Sequence, residues 1–60
     1  MNKKEQRKLL TVWNETEEVI SDLDFLDDVE LVECRKVMRE RLARALNVMD
    51  SFIDEDVFQA

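Results

Sequence analysis

Glycine, proline, histidine and tyrosine are absent from this chain, and cysteine and tryptophan occur once each. Without glycine or proline it lacks the residues that best form tight hairpin turns, which argues against a β-rich fold. A single cysteine cannot close an internal disulfide. With no histidine, and one thiol among carboxylates, a closed soft-metal site is not expected either. No apolar run is long enough for a signal peptide or a membrane span. The unpaired thiol and the lack of a targeting segment point to a reducing cytoplasm.

These absences bear on stability. The 60 residues form one domain at most, and a domain of that size buries only about 60% of the surface its unfolded chain exposes. With neither a disulfide nor a metal as staple, oligomerisation or a bound partner is the expected stabiliser.

What is present is helical. Apolar residues make up 45% of the chain and charged residues 40%, too apolar for obligate disorder and close to the mixture of amphipathic helices. Leu31, Cys34, Met38, Leu42, Ala45, Met49 and Phe52 recur at spacings of three and four, which puts them on one helical face. Val37, Leu46, Val48 and Ile53 widen that face towards half the circumference. Earlier, Leu9, Val12, Trp13, Thr16, Val19, Ile20 and Leu23 share about a third of a helix, with Leu10 lying off it.

Asn2 followed by Glu5 has the form of a capping box, so a first helix starts near Lys3. Asp22, Asp24, Asp27 and Asp28 then favour a break, because their carboxylates compete for backbone N–H groups. Asp27 is the expected second cap, with Glu30 at the third helical position and Leu26 and Leu31 as the hydrophobic staple. One continuous helix is the competing reading, but its acidic middle would repel itself.

The expected architecture is all-α: an antiparallel helical hairpin with helices at 3–23 and 28–53, an acidic turn at 24–27, and a docking or frayed tail at 54–60. Its core is Leu9, Val12, Thr16, Ile20, Leu23, Leu31, Cys34, Met38, Leu42 and Ala45. A turn near Phe25 sets Ile20 by Leu31, Trp13 by Met38 and Leu9 by Leu42. The second helix, about 39 Å long against about 30 Å for the first, then overruns it. Met49, Phe52 and Ile53 are left without cover. Together with Trp13, Val57 and Phe58 they form the expected partner surface, and a homodimer of hairpins, a four-helix bundle, would cover it.

The net charge of −6 is distributed in blocks. Lys3, Lys4, Arg7 and Lys8 open the chain, and Glu15 to Glu33 carries nine acids and no base. Arg35 to Arg44 holds five bases, and Asp50 to Asp56 four acids. Glu15, Glu18, Asp22, Asp24, Asp27, Asp28, Glu30 and Glu33 define an acidic surface. Paired carboxylates need a cleft to act as acid and base, and a calcium loop needs a glycine at its sharp turn. The chain offers no cleft-forming loop and no glycine, so no catalytic, cofactor-binding or metal-ligating residue is identified. The expected work is non-enzymatic: an acidic regulator or adaptor that binds and occludes a protein client. Two alternatives remain. The acidic run could imitate the phosphates of a duplex and fill the basic groove of a DNA-binding protein, or Arg35–Arg44 could contact nucleic acid directly, against the unfavourable overall charge.

Overall fold

The computed structural model describes residues 1–59, and these form three helices and, among the described residues, no strand. Helix α1 spans Lys3–Leu23, α2 spans Val32–Asp50 and α3 is the single turn Glu55–Phe58. A 3-10 turn at Val29–Leu31 leads into α2.

Local chemistry sets these boundaries. The Asn2 side chain accepts the Glu5 N–H at 2.8 Å, which satisfies one of the free donors that open α1. At its other end α1 tightens: the N–H groups of Asp24, Phe25 and Leu26 reach back three residues to Ser21, Asp22 and Leu23. Asp28, one residue later than the expected cap, is extended and accepts the Glu30 N–H at 2.9 Å. It caps the 3-10 turn rather than α2. Helix α2 begins after Leu31 with no side-chain cap, four residues later than the periodicity suggested.

That delay changes the register. Trp13 lies beside Asp50 rather than Met38, and Asp24 beside Arg39. The longer connection moves α2 along α1 by several residues. With 21 residues in α1 and 19 in α2, the two helices measure about 32 Å and 29 Å and match in length. The expected overrun at the C-terminal end of α2 is absent, because α2 has slid towards the connection, where its first turns pass the end of α1 instead. Helix α2 stops at Asp50, where the Ser51 hydroxyl turns back to the Val48 carbonyl at 2.6 Å, and residues 51–58 fold over the end of the pair.

The core follows from this arrangement. Leu23, Ile53 and Val57 are buried, with Leu9, Leu10, Trp13, Thr16, Ile20, Leu42, Leu46 and Met49 half-buried along the seam. Leu10 joins because α3 widens the covered sector of α1. Val12, Leu31, Cys34, Met38 and Ala45, expected inside, are exposed; on α2 the half-buried stripe is Arg35, Leu42, Leu46 and Met49, which keeps Leu42 and Met49 of the predicted face and takes Arg35 and Leu46 in place of Cys34, Met38 and Ala45. The molecule is a rod of 43 × 16 × 14 Å with a radius of gyration of 13.7 Å, against roughly 10 Å for a compact chain of this length. Its accessible surface, 4788 Å², exceeds the roughly 4,100 Å² of a typical monomer of its mass. A rod with two long helices and a short cap leaves one side uncovered.

Candidate protein-binding surface

At one end of the rod α3 is clasped to α1. Gln6 is 3% exposed, and an amide so buried needs partners for each polar atom. Its Oε1 accepts the Asp54 N–H at 2.8 Å, while Nε2 donates to the Met1 carbonyl at 2.9 Å and to Asp54 Oδ2 at 3.2 Å. Lys3 Nζ adds ion pairs of 2.8 Å to both Asp54 and Asp56. Trp13 donates from Nε1 to Asp50 at 2.6 Å and meets Phe58 edge to face, with ring centroids 5.3 Å apart. Hydrogen bonds from Lys3, then Gln6, hold the Asp54 carboxyl below its ordinary range, and those to Asp54 and Asp56 raise Lys3.

The clasp divides the expected partner surface. Ile53 and Val57 are buried within the chain, and Met49 and Trp13 are half-buried. Phe52 remains 52% exposed, and Phe58 is exposed at the rim. Ile53 and Val57 cannot meet a partner while the clasp is closed. Nothing in the apolar pattern alone identified Gln6 as its centre, although an amide three, four and seven residues before Leu9, Leu10 and Trp13, on the same face, carried the signal.

The uncovered side lies between α1 and α2. An open groove of about 530 Å³ is lined there by Val12 and Thr16 from α1 and by Arg41, Leu42, Ala45 and Val48 among the residues of α2. Val12 is 49% and Val48 55% exposed. On α1 the sequence Val12, Glu15, Val19, Asp22 continues along this flank at helical spacing; on α2 the matching stripe is Val37, Arg41, Arg44, Val48. Val19, Val37 and Met38 are exposed as well. The flank alternates valines with charge, Glu15 and Asp22 on α1 and Arg41 and Arg44 on α2, around an apolar patch at Val12, Leu42, Ala45 and Val48.

The acidic surface runs from the middle of α1 to a bare apolar tip at the far end. Glu15, Glu18, Asp22, Asp24, Asp27, Asp28, Glu30 and Glu33 are all exposed. Of these, Asp24 pairs with Arg39, and Asp28 serves as a cap. Arg35 donates to the Leu26 carbonyl and fastens the connection to α2. Phe25 and Val29 stand 80% and 81% exposed among the carboxylates.

Compared with family models, curated proteins and solved structures, the chain matches none. Among the described residues no group of three or more metal-ligating side chains comes together, and no helix is long and apolar enough to cross a membrane.

Proposed function

We propose that this chain is a non-enzymatic protein-binding module: a small acidic regulator or adaptor that self-associates as a dimer of antiparallel hairpins, a four-helix bundle, and occludes a site on a protein client. The observation that carries this reading is the open groove of the α1–α2 pair, with Val12 and Val48 about half exposed where the last turn of α2 meets the middle of α1. A face of this kind on a small domain marks an interaction site. One whole side of the rod, 43 Å by 16 Å, projects to roughly 700 Å², so a face-to-face contact along its full length would approach the roughly 800 Å² per partner of a standard interface.

The client end of the reading draws support from the acidic tip. Among the described residues, Asp24 is the one acid between Glu15 and Glu33 with an ion-pair partner. Away from the Val12–Val48 face, Glu17, Glu18, Asp27, Glu30 and Glu33 are exposed and available to a basic protein surface, including one that otherwise holds nucleic acid. Direct nucleic-acid contact has less support, because Arg35 and Arg39 are engaged within the chain.

Sedimentation equilibrium of the purified protein and of Val48→Asp tests self-association. The unaltered chain should be dimeric at micromolar concentration, and the variant monomeric with its helix content kept. A helical monomer persisting well above micromolar concentration overturns the reading.

A further inference from the structure

Two hairpins stacked face to face can be related by a twofold axis parallel to the helices or by one across them. The first lays α1 of each copy on α2 of the other; the second lays α1 on α1 and α2 on α2. Resting on the self-association argued above, we infer that the occupant of the Val12–Val48 face is a second copy of this chain, related by the axis parallel to the helices.

Charge selects this arrangement. An axis along the helices leaves each residue at its own height, so the register seen within one chain, Trp13 beside Asp50 and Asp24 beside Arg39, repeats between copies. Asp22 of one copy then lies level with Arg41 of the other, and Val12 and Glu15 lie within one helical turn of Val48 and Arg44. Apolar meets apolar and acid meets base. With the axis across the rod, Arg41, close to the middle of α2, would face its own copy within the apolar groove it lines. Two guanidinium groups would lose water there with no anion between them. The same axis crosses α1 level with Asp22, so Asp22 would also face its own copy, a second like-charge contact.

The parallel axis also gathers both acidic tips at one end. Two copies of Phe25 and Val29 then stand side by side, so the dimer presents a client with two equivalent contact points.

Charge exchange and distance measurement test the arrangement in the full chain. Replacing Arg41 and Arg44 together with Glu should weaken dimerisation roughly tenfold or more, as should replacing Glu15 and Asp22 with Arg. Combining all four changes should restore it to within a few-fold. All four residues are exposed in the single chain, and circular dichroism checks that each variant stays helical. A nitroxide on Val29→Cys, in a Cys34→Ala background that still sediments as a dimer, should give a spin–spin separation under about 30 Å, a few interhelical spacings. A dimer whose labels lie near the 43 Å length of the rod, or whose combined variant stays weak, overturns the parallel axis and leaves self-association standing. A monomeric unaltered protein overturns both.

Discussion

Two segments of this chain read almost alike and meet opposite fates. Phe25-Leu26-Asp27-Asp28-Val29 turns the chain between the long helices, and Phe52-Ile53-Asp54-Glu55-Asp56-Val57 follows α2. Each has an Asp at the start of a short helical turn, Asp28 and Asp54. Yet Ile53 and Val57 are buried, while Leu26 is exposed and Val29 almost bare. The difference lies in what stands opposite. Asp54 finds Lys3 and Gln6 on the first turns of α1, which satisfy its carboxylate and its N–H and let the neighbouring apolar groups close. At the tip α1 has already ended, and Arg35 and Arg39 hold the backbone and Asp24 without covering Phe25 or Val29. Burial here is decided by available partners rather than by hydrophobicity.

Substitutions should break that contrast unequally. Ile53→Ala removes buried aliphatic volume and should cost about 2–4 kcal/mol in urea unfolding, a large share of the stability of so small a domain. Leu26→Ala, the same kind of change in the other segment, should cost less than about 1 kcal/mol. Equal losses would mean that the tip is buried in the assembled protein.

Gln6→Ala comes next. It leaves the Asp54 N–H without its acceptor beneath the tail, and a buried donor left unmade costs about 1–3 kcal/mol. Trp13, beside Phe58 and bonded to Asp50, reports the clasp directly. Its fluorescence should shift towards that of a solvated indole in Gln6→Ala and stay unchanged in Leu26→Ala.

Acidity separates the two segments more gently. The Asp54 carboxyl is held below its ordinary value by Lys3 and Gln6, so its contribution is present above the unfolded carboxylate range and is lost as pH falls through the lower folded value. Lys3 is raised above its ordinary 10.5; its contribution is complete below that value and disappears as pH rises through the higher folded one. Trp13 fluorescence should therefore report loosening at both extremes and a plateau between them, with Asp54→Asn weakening the acid limb. An unchanged acid limb in that variant would remove Asp54 from the clasp.

The smallest effect belongs to Phe25→Ser. With the ring 80% exposed, stability should move by no more than about 0.5 kcal/mol. A larger loss, measured at concentrations where the protein is dimeric, would show that the two tips contact each other.

Helix α1 was legible to the residue, Lys3–Leu23, because Asn2 supplies a cap and the apolar spacing runs unbroken to Leu23. Apolar spacing predicts the second helix at 28–53, and it runs from Val32 to Asp50. Periodicity continues through both ends, and spacing alone does not register where a chain leaves its helix to reach other contacts. The error passed into the candidate surface: an overrun assigned Ile53 and Val57 to a partner, although a tail that docks was already implied by their apolar character. The acidic residues were found where expected, on the outside, since solvation of a carboxylate needs no tertiary knowledge.

By itself the sequence determined that the chain would be helical, where the first helix starts and stops, and that the apolar surface would be more than two helices can hide; these follow from local capping and from period, which act over a few residues. Only the tertiary structure decided the register of α2 on α1 and which apolar groups are sheltered. Both depend on contacts between positions distant in sequence, from Asp24 with Arg39 to Trp13 with Asp50 and Lys3 with Asp54, and no local pattern encodes the geometry by which they meet.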